Sequence, residues 1–534
     1  MFDPNYNPYA SHRSVVYGKN GCVATGQPLA AQAGLHVMRI GGNAIDAAIA
    51  TAVCLTVCEP TANGIGSDSF ALVWAKGKLH GLNSSGPAPR AISIDEVKRL
   101  GHDKMPAIGW LPVTVPGAPA AWAELSKEFG VLPFEELIKP AIEYAKYGYP
   151  VSPTLGTNWQ RAAKAYSGHN SDGGLDEWFR VFAPHGRAPN VGEIWSSDGH
   201  ANTLREIADT KSESFYRGSL AKKIAQASIE AGGFLTLADL EDYKPEWVEP
   251  IGLNYRGYDV WEIPPNGQGL VALAALNILK GYSFGTREDA FHIQMEAIKL
   301  AFTAGKQIIT DPRYTNNDHV NWVLSERFAE EARAKITETA LLPAPFDLPT
   351  SGTVYLATAD GEGNMVSYIQ SNYMGFGSGI VIPGTGIAMQ NRGHDFSLDP
   401  AHVNRLDGGK RTYHTIIPGF LTKKGSPIGP FGVMGGYMQP QGHVQVVMNT
   451  IDFSLNPQMA LDAPRWQWLS GKTVVVERSF PGHIAKNFHG MGHDIRIALD
   501  SGSFGRGQII WKDNQSGVLA GGTESRTDGA VVAF

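Results

Sequence analysis

A layered α+β core is the fold class the sequence predicts. Helical patterns dominate the first 310 or so residues. Strand patterns take over from Thr353, after a connector over residues 311–352. Hydrophobic residues are 43% of the 534 and charged residues 18%, which suits one well-cored body rather than separate beads.

Pro28 to Ile40 reads as a helix, with proline suited to its first turn. Gly41-Gly42 stops it, and Asn43 is placed to cap the next. Asn43 to Cys58 is so rich in Ala, Ile and Val that it should be buried all round. Phe70–Ala75 and Lys78–Asn83 form a hairpin around Lys76-Gly77. Pro116 to Phe129 and Leu132 to Tyr147 read as helices, and residues 155–200 as polar, aromatic and irregular. Helices are expected at Ser219–Ala231, Gly269–Lys280 and Ala290–Gln307, with strand alternation over Leu253–Ile263. From Thr353 the expected strands are 353–360, 365–371, 411–421, 429–434 and 473–478. Helices at Gln439–Ile451 and Pro457–Leu461 interrupt them.

Net charge is −6, which gives no electrostatic case for nucleic acid or an anionic membrane. The longest apolar stretch, Ala44 to Cys58, contains Asp46 and is shorter than the roughly 18 residues a membrane span needs. Met1 to Tyr9 lacks the apolar core of a signal peptide. The three cysteines, Cys22, Cys54 and Cys58, argue against a disulfide framework and suit a reducing compartment. A cytoplasmic protein is expected. Cys54 and Cys58 share a helix face and read as small core side chains. The histidines show no metal-ligand spacing, so neither a metal nor another cofactor is expected.

Thr353 is the leading candidate for chemistry. It stands where a loose proline-rich stretch, Leu342 to Gly352, meets a strand. If the Gly352–Thr353 bond broke, the threonine hydroxyl would lie beside its own α-amine, a recognised way to activate a weak nucleophile. Gly435-Gly436 lies between a strand and a helix. Glycines there either make a tight turn or expose N–H groups to a developing oxyanion. Asp395, in a turn-like loop, is either an Asx turn or a carboxylate for a cationic amine. Asp360 reads as the hairpin turn before Gly361. Arg90, after Pro87-Ala88-Pro89, is a surface residue or an anion binder. Gly281-Tyr282-Ser283-Phe284-Gly285 matches the nucleophile-elbow pattern but follows a helix where an elbow needs a strand.

These residues together resemble the gamma-glutamyltranspeptidase family, nearly end to end. The markers are Gly41 to Ala48, Pro264-Pro265-Asn266-Gly267-Gln268-Gly269, Thr353 with its strand, Gly435-Gly436, Ala463-Pro464-Arg465-Trp466 and Ala520 to Gly529. The resemblance implies an N-terminal nucleophile hydrolase with a four-layer αββα sandwich. It implies self-cleavage into a large chain, 1–352, and a small chain, 353–534, which stay packed as a heterodimer; a dimer of such heterodimers is left open. It gives Thr353 the role of nucleophile, Gly435 and Gly436 that of oxyanion hole, and Ser371 that of supporting hydroxyl. Asn372 and Asp395 match substrate-binding positions, Asn372 with a one-residue uncertainty in register.

The chain departs from the pattern where the family grips a glutamyl carboxylate. Two adjacent serines are replaced by His414-Thr415. The family's arginine before an Ala-Pro pair falls on Ser85, which leaves Arg90 after that pair as the stand-in, while a small α-keto carboxylate could be served by Arg90, His414 or Arg411. Phe396 to Lys410 is short, so the lid looks truncated and hydrolysis is favoured over transfer. The nearest branch resembles bacterial glutathione-hydrolase-like proteins and oxamate amidohydrolase. The expected substrate is a small amide: a γ-glutamyl compound such as glutathione, or alternatively oxamate or a related carboxylate-amide. An uncleaved binding protein on the same scaffold is the rival from another class, and a serine hydrolase using Ser283 a further one.

Overall fold

The computed structural model describes residues 12–170, 174–343 and 352–534. Two seven-stranded antiparallel sheets lie face to face. One runs, in spatial order, Ala530–Ala533, Gly21–Thr25, Val354–Asp360, Met365–Ser371, Asp68–Ala75, Lys78–Ser84 and Glu246–Val248. The other runs Val16–Gly18, Leu519–Thr523, Arg506–Lys512, Ser426–Met434, Gly419–Lys423, Tyr258–Glu262 and Ile251–Tyr255. Each sheet draws strands from both sides of Thr353, so residues before and after it are interwoven.

Side-chain alternation explains the layering. Val354 and Leu356 point outward, into a core shared with the helices Pro28–Arg39, Ala44–Cys58 and Phe134–Tyr147. Tyr355, Ala357 and Ala359 point inward and meet Phe420, Met434 and Ile510 of the facing sheet. Both faces are buried, so the strand reads as a near-continuous apolar run. Gly269–Leu279, Arg287–Ile308 and Met438–Ile451 cover the outer face of the second sheet. The result is the expected four-layer αββα sandwich. Gly432 lets the sheets approach, since a Cβ there would lie 2.4 Å from the Tyr355 ring.

Local expectations hold where side chains satisfy backbone groups. Asn43 caps Ala44–Cys58 by accepting from the Ile45 and Asp46 N–H groups, while Asp46 accepts from the Asn43 N–H. Asp360 takes the Glu362 and Asn364 N–H groups, as a hairpin turn should. Its other oxygen accepts from the Ala44 N–H at 2.9 Å, tying that helix to the central strand. Cys54 and Cys58 are buried, and burial pushes both thiols above their ordinary range.

Three expectations need correction. The region 155–200 is not irregular: it contains the helices Pro153–Ser167 and Asp176–Phe182. Leu155, Trp159 and Tyr166 form the buried stripe of the first, masked in the sequence by polar neighbours. The connector holds two short helices, Asn317–Val323 and Glu326–Arg333. The strand expected over 411–421 shrinks to Gly419–Lys423. Residues 411–414 give their N–H groups elsewhere: Arg411 to Asp311, Tyr413 to the Asn404 side chain and His414 to the Asn266 carbonyl. Met1 to Tyr9 and most of the proline-rich stretch, Ala344 to Ser351, lie outside the described residues.

Candidate active site

Thr353 is buried at the start of the strand Val354–Asp360. Its Oγ1 lies 3.0 Å from the Ser371 Oγ and 2.8 Å from the Gly352 carbonyl oxygen. Ser371 Oγ is itself 3.0 Å from that carbonyl and accepts the Tyr373 N–H at 2.8 Å. Register makes this meeting necessary. Val354 pairs with Gln370, so Thr353 stands opposite Ser371, and Ser371 pairs in turn with Asp68 on the next strand. Thr353, Ser371 and Asp68 therefore form one cross-strand row.

The row continues into a polar network. The Tyr373 hydroxyl donates to Asp395 Oδ1 at 2.8 Å, and the Tyr437 hydroxyl donates to the same oxygen at 3.0 Å. Asp395 ends the 3₁₀ turn Arg392–Asp395 and is more than a local turn residue. Lys306 Nζ lies 4.0 Å from the Tyr437 ring centre and 4.4 Å from that of Tyr413. Burial pulls the Lys306 ammonium down to about 8, against the attraction of Asp395.

Tyr437 follows the Gly435-Gly436 turn, which joins the strand Ser426–Met434 to the helix Met438–Ile451. Both glycines have positive φ, +137° and +60°, which side-chain-bearing residues resist. The Gly435 carbonyl accepts from the Met438 N–H at 3.1 Å. A trans peptide carries C=O and N–H on opposite sides, so the Gly436 N–H is turned away from the helix. Gln268 fixes the turn from below: its Nε2 donates to the carbonyls of Gly436, at 2.9 Å, and Thr415, at 2.5 Å.

His414 and Thr415 meet a buried ion cluster. His414 Nε2 donates to Asp68 Oδ2 at 2.6 Å, while its Nδ1 accepts from the Ile416 N–H at 3.3 Å. That pattern fits a neutral imidazole. Burial, with the Arg392 cation nearby, lowers His414 to about 4. Burial raises the Asp68 carboxyl, but the cluster more than offsets this and holds it below its ordinary range. Arg392 Nε lies 3.4 Å from Asp68 Oδ2, its Nη1 donates to Thr415 Oγ1 at 2.7 Å, and its guanidinium lies 4.2 Å from the Tyr373 ring centre. Asn372 is buried beside Ser371, and its Oδ1 accepts from Ser67 at 2.8 Å.

The expected residues thus converge, with three exceptions, the first being Asn372, whose side chain bonds Ser67 and no member of the network. Arg90 is exposed and pairs with Asp242 at 2.6 Å, so its side chain does not join the network. Arg411 is committed to Glu246, at 2.7 Å, and to the Ser85 carbonyl. Ser283 sits between the helices Gly269–Leu279 and Arg287–Ile308, with no strand before it. Sequence reasoning missed Asp68, Gln268, Tyr373, Arg392 and Tyr437 as members of the site. Gln268 and Arg392 lie inside segments already singled out, but nothing local marks which of their neighbours join the network.

Away from this site, His292, Glu296 and His493 group closely enough to suggest metal ligands. Glu296 Oε1 is already taken by Lys299 Nζ at 2.7 Å, and its other oxygen by the Leu341 N–H. Among the described residues no helix is long and apolar enough to cross a membrane.

Comparison with known proteins agrees with this architecture. The family profile described as Gamma-glutamyltranspeptidase matches residues 30–534. The chain is 34% identical to the glutathione hydrolase-like YwrD proenzyme of Bacillus subtilis, covering 97% of this chain and 99% of that one. It is 32% identical to the oxamate amidohydrolase proenzyme of Klebsiella pneumoniae, over 96% and 98%. The crystal structure of cephalosporin acylase from Bacillus halodurans superposes with a TM-score of 0.97 at 62% identity, covering 100% of this chain and 99% of the other. The fold and the length of these matches carry the conclusion that the chain belongs to the gamma-glutamyltranspeptidase family.

Proposed function

We propose that this protein is a self-processing N-terminal threonine amidohydrolase that cleaves small carboxylate-bearing amides, γ-glutamyl compounds among them, through an acyl-enzyme. The observation that carries the reading is the close triangle of Thr353 Oγ1, Ser371 Oγ and the Gly352 carbonyl.

In the uncut chain, Thr353 Oγ attacks the Gly352 carbonyl carbon, and Ser371 donates to its oxygen. The hydroxyl proton passes to the Thr353 nitrogen as the C–N bond breaks, so that nitrogen becomes the free α-amine and Gly352 becomes esterified to the threonine oxygen. Water hydrolyses that ester, freeing the Gly352 carboxylate and restoring the Thr353 hydroxyl beside its new α-amine. An α-amine has an ordinary pKa of about 7.7–8.0, so a useful fraction is neutral near pH 7.

That amine then accepts the hydroxyl proton as Thr353 attacks the substrate amide. Gly435 and Gly436 N–H groups receive the oxyanion; removing one such donor typically costs about 2.7–4 kcal/mol of barrier. The proton passes to the departing amine, and water resolves the ester. Asp395 Oδ2 is buried and has no hydrogen-bond partner among the described residues, which suits it to a substrate ammonium. Asn372 Nδ2 is also buried and without a partner among the described residues.

The activity names of the relatives bracket the substrate: a glutathione hydrolase-like protein, an oxamate amidohydrolase and an acylase. A panel of γ-glutamyl anilide, glutathione, a glutaryl amide and oxamate, compared by kcat/KM with Thr353→Ala as control, tests the reading. Turnover of at least one by wild type and of none by Thr353→Ala is expected. Equal turnover by both proteins, or none by wild type, would remove it.

A further inference from the structure

Arg392 is an unusual residue to find in this place. Its side chain is 1% exposed, and Nη2 has no hydrogen-bond partner among the described residues. A buried guanidinium normally has its donors paired, because an unpaired one forfeits hydration without return. The other two nitrogens are held by Asp68 and Thr415, and the flat face rests on Tyr373, so the free nitrogen has a fixed direction. The Tyr373 hydroxyl also bonds Asp395, whose Oδ2 is the free acceptor. One tyrosine therefore carries a free cationic donor at its face and a free anionic acceptor at its hydroxyl end.

We propose that Arg392 is the acyl-carboxylate anchor of this site, with Asp68, Thr415 and Tyr373 as its positioning residues. This rests on the amidohydrolase reading above. Arg90 is exposed and paired with Asp242, and Arg411 is turned to Glu246 and the Ser85 carbonyl, whereas Arg392 keeps one buried nitrogen unpaired beside Tyr373. His414 is committed to Asp68.

The row of strands sets the reach. Asp68 lies two strands from Thr353, on the order of 10 Å at the usual inter-strand spacing. A five-carbon diacid chain spans about 5 Å between its end carbons, leaving about a contact distance at each end. The pair Arg392 and Asp395 also suits a carboxylate and an ammonium on one carbon, as in a γ-glutamyl group. The substrate class is therefore a γ-glutamyl or glutaryl amide.

Four anilides separate the contributions: γ-glutamyl, glutaryl, 4-aminobutyryl and butyryl. Arg392→Gln should lower kcat/KM about 10- to 100-fold for the first two, mainly through KM. It should cost the last two much less than the first two. Arg392→Lys should recover part of the loss, since an ammonium keeps the charge but not the direction fixed by the planar guanidinium. Equal losses on all four substrates, or no loss on the carboxylates, would overturn the proposal. Thermal shift provides a readout independent of turnover. Glutarate, but not butyrate, should raise the melting temperature of wild type, and Arg392→Gln should abolish the rise. If wild type hydrolyses neither these anilides nor the glutathione and oxamate of the panel above, yet shows this Arg392-dependent shift, the amidohydrolase reading falls and the anchor stands. If wild type hydrolyses the carboxylate anilides and Arg392→Gln does so equally well, the anchor falls and the amidohydrolase reading stands.

Discussion

Replacing Ser371 by alanine removes one oxygen that serves three neighbours. Its hydroxyl lies 3.0 Å from both Thr353 Oγ1 and the Gly352 carbonyl, and it accepts the Tyr373 N–H at 2.8 Å. Ser371 and Tyr373 are both fully buried, so the Tyr373 N–H loses its acceptor away from bulk solvent. An orphaned buried N–H costs about 1–3 kcal/mol. Spread over the unfolding entropy of 534 residues, that is a fall in Tm of about 1–3 °C. The kinetic cost is separate. A hydrogen bond to the attacking oxygen or to the scissile carbonyl is worth about 1.4–2.8 kcal/mol of barrier, or 10- to 100-fold in rate. Self-cleavage followed by denaturing gel or intact mass should therefore slow by that factor while the protein stays folded by calorimetry. Hydrolysis by the cleaved fraction should lose kcat more than KM. Cleavage and turnover at wild-type rates would refute the supporting role. So would a loss of rate that tracks unfolding alone.

Two further outcomes follow from the same geometry. Asp395→Asn removes the charge that meets a substrate ammonium; γ-glutamyl anilide should lose about 10- to 100-fold in kcat/KM while glutaryl anilide changes little, which a side-by-side assay reads directly. His200 is buried, and burial alone holds it at about 4 rather than its ordinary 6.5. Between these pH values the unfolded chain binds a proton that the folded protein refuses, so stability falls as pH falls through this window. The contribution is about 3 kcal/mol. Denaturant midpoints measured from pH 7 to pH 4 should be flatter for His200→Gln; parallel curves would contradict the assignment.

Much of this site was legible because its chemistry is local in the chain. Thr353 stands at a junction between a proline-rich stretch and a strand, and Gly435-Gly436 at a strand-to-helix turn, so each shows its backbone context in a few residues. Asn43 announced its helix for the same reason. Asp68 and Arg392 were opaque because they meet only through sheet register and a loop returning from far along the chain. Arg392 reads in isolation as one more polar loop residue. Its importance lies in a nitrogen left unpaired after three neighbours have arrived. The helix Pro153–Ser167 was hidden differently: its buried face is sparse, and the aromatic side chains that fill it are spaced among Thr, Asn, Gln and Lys.

The central claim is that Thr353 is the nucleophile released by cleavage of its own chain. Intact mass with N-terminal sequencing of freshly purified and incubated wild-type protein tests it most directly. The account predicts conversion to two species, the smaller beginning at Thr353 and containing 182 of the 534 residues, and a Thr353→Ala variant that stays whole. A wild-type chain that remains uncut while hydrolysing amides, or one cut at a different bond, would contradict it.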